Sequence, residues 1–200
     1  MIKQNMNKDN RSLYINFVLD LAKEVENYLN EKFPIIRTFG SSDAVIEGIK
    51  KQSEIAADLG EQYIGNEDPS IPSDKIMQYL NESGTYKHIN KKHKNYKRVE
   101  NLLIKELQIK VKTLSEVFKG HGDSYTELIH SAFIDKETAK NLLMQEYLIR
   151  KEELELILED NTLLNIPFFV RGKASEIIEA SFLKEKEIFE EKIFKHWKNA

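Results

Sequence analysis

The chain has 200 residues, 40% of them apolar and 32% charged, with a net charge of −3 and no cysteine. That length can bury a sizeable core without covalent staples. The missing cysteine excludes disulfide frameworks, thiolate metal sites and thiol nucleophiles, and the near-neutral balance excludes a global pull toward nucleic acid or anionic membrane.

Four prolines and eight glycines leave room for long elements with few turns, which favours helices. Tyr14, Val18, Leu21, Val25 and Leu29 recur at spacings of three and four, and predict a helix over about 9–33 that Pro34 ends. After the connector "FPIIRTFG", Ser41 or Ser42 is placed to cap a second helix, with Val45, Ile49, Ala56, Leu59 and Tyr63 on one face. "GNEDPSIPS", 65–73, is the clearest loop. A short helix over 74–82 follows. Beyond Gly84 the stripe Tyr96, Val99, Leu103, Leu107, Val111, Leu114 and Phe118 predicts a long helix over about 85–119, stopped by Gly120 and Gly122. A short helix over 124–133 leads to Asp135, an N-cap for a helix reaching about 159. "NTLLNIPFFVRG" breaks the pattern before a last helix over about 173–197. The expected fold is all-α: a mostly antiparallel helical bundle of five to seven helices in a single domain, 1–200. Its alternative is a division into an N-terminal pair, 1–66, and a main bundle, 74–200.

No apolar run is long enough to span a bilayer, and "MIKQNMNKDNRS" lacks the apolar core of a signal peptide. The expectation is a cytoplasmic protein without a transmembrane segment.

Four stretches carry candidate chemistry. "FKGHGDSYTELIH", 118–130, gathers His121, Asp123, Glu127 and His130. Glu127 and His130 form a single E-x-x-H, whereas di-iron bundles need that motif twice plus two further Glu. Ser124 and Glu127 also have the spacing of a capping box, in which each side chain satisfies a free N–H at a helix start. The reading is a hinge between two helices, with no metal and no cofactor.

"YKHINKKHKNYKRV", 86–99, holds Lys87, Lys91, Lys92, Lys94, Lys97 and Arg98 with no acid among them. Cations interleaved with tyrosine suit phosphate contacts or an acidic partner. Tyr86, Ile89, His93 and Tyr96 would share one helical face, with His93 as a satisfied core residue. The acidic "EELELILED", 152–160, could dock on this stretch within the chain or in a second copy.

"FPIIRTFGSS" and "IPFFVRGKAS" share a plan of proline, apolar pair, Arg, Gly and a capping Ser. If the two connectors meet, Arg37, Ser42, Arg171, Lys173 and Ser175 could bind one anion, since helix N-termini and arginine forks both favour negative charge. Phe194 and Trp197, near the end of the last helix, are candidate anchors for a partner or for self-association.

No hydrolase elbow, zinc-protease motif or phosphate loop is present, and no residue is assigned as catalytic. The leading expectation is a non-enzymatic interaction or regulatory protein that uses charged and aromatic helix faces on a protein partner or on itself. The second is a weakly binding nucleic-acid accessory protein using 87–98. The third is a binder of a small anionic ligand, or an enzyme, with its site between helices.

Overall fold

A computed structural model describes residues 9–33, 42–166, 171–195 and 197; at 42, 43 and 171 it describes the backbone alone. The protein is an all-α bundle. Among the described residues there are eight α-helices: α1 Asn10–Lys32, α2 Ser42–Gln62, α3 Ser73–Asn81, α4 Gly84–His88, α5 Tyr96–Val117, α6 Tyr125–Ala132, α7 Lys136–Glu159 and α8 Arg171–Phe194, with a 3-10 turn at Asn161–Leu163 before α8. No described helix is long and apolar enough to cross a membrane.

Local chemistry sets most of the boundaries. Asp9 caps α1, its carboxylate accepting from Ser12 N at 3.2 Å. The helix ends at Lys32, because Phe33 precedes a proline and is pushed out of the helical region, to φ −127°. Asp135 caps α7 by accepting from Glu137 N and Thr138 N. Ser124 caps α6 by accepting from Glu127 N at 3.2 Å. Glu127 completes the cap by accepting from Asp123 N, one residue before the cap N–H that a capping box would use.

The expected helix over 85–119 is divided in two. α4 ends at His88, Ile89 forms an antiparallel bridge with Leu164, and α5 begins only at Tyr96. The sequence between is rich in groups that compete with helix hydrogen bonding. Asn90 Oδ1 accepts from Lys92 N at 3.0 Å, closing an Asx turn. Tyr86, Ile89, His93 and Tyr96 therefore do not share one helix face. This extra break, with the short α4, brings the described helices to eight.

Two apolar clusters fill the interior. The larger joins Tyr14, Leu21 and Val25 of α1 and Ala56 and Leu59 of α2 to Leu107, Val111 and Leu114 of α5, to α6, and to Phe189 and Ile193 of α8. The first two helices thus share a core with the later ones. Gly60 allows a close approach of α2 to α5, since a Cβ there would lie 2.7 Å from the Leu114 Cβ. The smaller cluster joins Leu80, Ile89, Val99, Leu103, Ile149, Leu156, Ile157 and Leu163. Along α5 the change from one cluster to the other falls at Glu106, a buried carboxyl group.

Candidate functional site

The bundle collects charge in two places, one inside and one outside.

The inner set lies on α5, α7 and α8. Lys110 binds the Glu146 carboxylate at 3.0 Å and donates to the Tyr79 hydroxyl at 3.0 Å. Arg150 grips Glu185 with both terminal nitrogens, Nη1 donating to Oε1 at 2.6 Å and Nη2 to Oε2. Its guanidinium also lies over the rings of Tyr147 and Phe182. The third nitrogen, Nε, is 3.9 Å from Glu106 Oε1. Glu106 and Glu153 are each only 8% exposed, and Glu153 Oε1 has no hydrogen-bond partner among the described residues. Two cations thus face four carboxyl groups.

Protonation resolves the imbalance. Burial pushes Glu106 up to about 7, against the opposing pull of Lys110 and Arg150. Burial and the neighbouring Glu106 raise Glu153 well above the usual carboxylate range. Burial also works against ionised Glu185, but the charge and hydrogen bonds of Arg150 outweigh it and hold Glu185 low. The set reads as two ion pairs, Lys110–Glu146 and Arg150–Glu185, beside two carboxyl groups, Glu106 and Glu153, whose burial favours the protonated form.

Sequence reasoning passed over these residues because it followed the apolar stripe alone. A parallel series was there to be read. Val99, Leu103, Glu106, Lys110, Thr113 and Val117 recur at spacings of four and three, as do Ala139, Leu143, Glu146, Arg150, Glu153 and Ile157. Charges that interrupt a core repeat on two helices are the signal.

The outer set is the turn between α4 and α5. Its backbone is fastened to the segment after α7: Asn90 N donates to Leu163 O at 2.7 Å, and Asn165 N donates to His88 O at 2.5 Å. His93 Nδ1 accepts from Asn95 N at 3.0 Å, so Nε2 carries the proton it shares with Asp160 at 2.8 Å. The Thr162 hydroxyl, followed by His93, holds Asp160 well below the usual carboxylate range. Arg98 meets Glu152 at 3.1 Å, so the acidic 152–160 run docks on the basic stretch within the chain. Of the six cations, Lys87, Lys97 and Arg98 are paired with Glu82, Glu100 and Glu152. Lys91, Lys92 and Lys94 are exposed and have no carboxylate partner among the described residues. Lys91 rests over the Tyr86 ring.

The anion-site candidates fall largely outside the described residues. Arg37 lies outside the described residues, as do the side chains of Ser42 and Arg171; Lys173 pairs with Glu176 at 3.2 Å, and Ser175 is half-buried in α8. Glu127 is spent on its helix cap, while His130 Nε2 lies 2.9 Å from Ile193 O and its ring stacks on Trp197. The E-x-x-H pair does not converge, and no metal-binding group of three or more ligands occurs among the described residues. Phe194 is buried at 7% exposure, and Trp197 lies parallel to it with centroids 6.1 Å apart. Phe194 therefore belongs to the chain's own core and presents no ring for a partner. Open grooves of about 510 Å³ occur between α2 and α3, beside Lys51, Glu54 and Asp58, and along α5 and α7, beside Lys112, Glu116 and Asn141. Neither is lined by the inner charge set.

Comparison with protein-family models, with curated proteins and with solved structures finds no match for this chain.

Proposed function

We propose that the chain is a non-enzymatic interaction protein that presents the turn carrying Lys91, Lys92 and Lys94 to an acidic segment of a partner protein. One observation carries this reading: the three lysines without a carboxylate partner among the described residues stand on a turn whose backbone and central histidine are fastened to the bundle. A fastened turn loses little conformational entropy on binding, so its charges are pre-organised for a partner. A cytoplasmic setting goes with the proposal.

The same lysines favour a second reading, weak binding of nucleic acid. Three ion pairs already consume half of the basic stretch, which leaves about three phosphate contacts. Binding of that kind to single-stranded DNA would weaken about 20-fold between 50 and 200 mM salt.

The test is a fluorescence-anisotropy titration at low salt with labelled poly-glutamate and with single-stranded DNA of equal charge. Binding of poly-glutamate in preference to DNA, lost on changing Lys91, Lys92 and Lys94 together to Glu, supports the first reading. Preference for DNA with the same loss turns the assignment to the second. Binding of neither polymer, or binding that survives the triple change, rejects the basic turn as the contact.

A further inference from the structure

Arg150 is placed to serve two carboxylates on two different helices. Its Nη1 and Nη2 hold Glu185 of α8, and its Nε faces Glu106 of α5 at 3.9 Å, close enough to attract but too far to hydrogen-bond. The carboxyl group of Glu106 forms no hydrogen bond among the described residues, and Glu153, one turn along α7 from Arg150, keeps an unpartnered oxygen there.

We propose that Arg150 is the movable bolt of a proton-operated latch: with a proton on Glu106 it locks α7 to α8 through Glu185, and when Glu106 gives that proton to solvent it is drawn toward α5 and the α8 tie loosens.

The inference rests on what surrounds Glu106. On its own helix, Lys110 stands one turn away, but its ammonium is committed to Glu146 and Tyr79. From α7 come Glu146, Arg150 and Glu153; from α8, Glu185; from α3 and α1, the phenols of Tyr79 and Tyr14. Both phenols stay neutral through the physiological range, because burial raises them. An ionised Glu106 therefore meets three other acids and two cations, and each cation already holds a carboxylate. Burying a third negative charge against two positive ones is unfavourable unless a cation is shared. Lys110 is tied at two points that do not involve α8. Arg150 has its Nε unused and a planar fork that can re-aim by rotation about its own side-chain bonds. Glu106 titrates near neutrality, so the exchange falls where a modest pH change operates it. The device depends on the buried set alone and not on the basic turn.

The experiment is hydrogen exchange of the intact chain at pH 6 and pH 8, corrected for the intrinsic pH dependence of amide exchange. The expected result is a loss of protection of at least threefold in 182–189 of α8 at the higher pH, beyond any change in α1 and α2. Glu106→Gln keeps the shape and removes the titration, and should give the same protection at both pH values. Glu185→Gln weakens the tie at both pH values and should show low, pH-independent protection in that segment. Unchanged α8 protection in the wild type, or an equal change in Glu106→Gln, overturns the latch. Should the variants fold poorly, carboxyl-carbon NMR of the glutamate-labelled wild type decides. A Glu106 signal that titrates near neutrality together with shifts at Arg150 and Glu185 supports it. A signal that titrates in the ordinary carboxylate range, or alone, removes it.

Discussion

The inner charge layer and the outer basic turn use the same kinds of side chain under opposite conditions. Inside, Glu106 and Glu153 are 8% exposed, and even the ion-paired cations keep only 17% and 23% of their side chains in solvent. Outside, Lys91, Lys92 and Lys94 are open to water. In water a charge costs almost nothing to keep and contributes almost nothing to the fold, so it is free for a partner. Out of water each charge must be matched, protonated or shared, and any change is felt by the whole bundle. The turn can therefore vary with little effect on folding, whereas the layer can sense protons and set stability.

The largest expected break in this comparison is Arg150→Met. It strands Glu185 and removes the cation nearest Glu106 and Glu153. Breaking a buried pair from one side costs about 3–5 kcal/mol, and the partial exposure of Arg150 points to the lower end. Urea unfolding should show a loss of about 3 kcal/mol. Adding Glu185→Leu should recover part of it, because the stranded charge goes too. A double variant less stable than the single would show that the ion pair is not the source of the cost.

Next is the pH dependence of stability. Glu106 has an ordinary value of 4.5 and a folded value of about 7. Between those two values the folded chain holds a proton that the unfolded chain has lost. The resulting stability is complete below 4.5, falls as pH rises through the window, and is gone above about 7. The total is about 3 kcal/mol, and Glu153, raised in the same direction, adds to the fall. Thermal unfolding at pH 5 and pH 7.5, which covers most of that window, should therefore show a loss for the wild type that is about 2 kcal/mol larger than for Glu106→Gln. Parallel losses would refute the assignment.

How far these two regions could be read in advance follows from the same physics. Helix order, the caps at Ser124 and Asp135 and the all-α class follow from local rules, and the residues that enforce them stand next to the bonds they make. The basic run was visible as composition, but its shape was not. The break at Ile89–Asn95 depends on Leu163, Leu164 and Asn165, more than seventy residues away, and helical spacing carries no information about such a partner. The layer was legible in principle, since Glu106, Lys110, Glu146 and Arg150 fall on a core repeat. It was missed because a continuous apolar stripe beside it on α5 already accounted for burial. Which carboxylate each cation would choose depends on how α8 packs, and no spacing within one helix reports that.

A smaller effect sharpens the outer half of the comparison. His93→Ala removes the link between the turn and Asp160. Asp160 keeps 38% of its side chain exposed and still accepts from the Thr162 hydroxyl at 2.6 Å, so no charge is stranded. The stability loss should be about 1 kcal/mol, the worth of an ordinary hydrogen bond. If pre-organisation underlies binding, the affinity for poly-glutamate should fall although no lysine has changed. Undiminished affinity would show that the lysines bind from a loose turn as well as from a fastened one.

The smallest effect on the fold is expected from the lysines themselves. Changing Lys91, Lys92 and Lys94 to Gln removes three exposed charges without a carboxylate partner, and should alter unfolding free energy by no more than about 0.5 kcal/mol. The same variant should lose its affinity for poly-glutamate. Salt then separates the two regions in one protein. The screening length contracts from about 10 Å at 0.1 M to about 3 Å at 1 M, so binding by the exposed turn should collapse over that range. The layer is screened far less, because its charges are largely buried. The pH-dependent loss of stability assigned to Glu106 should persist at 1 M sodium chloride. If it vanished along with the binding, mobile ions would screen Glu106 as readily as the turn, and the contrast between a largely buried layer and an open turn would be lost.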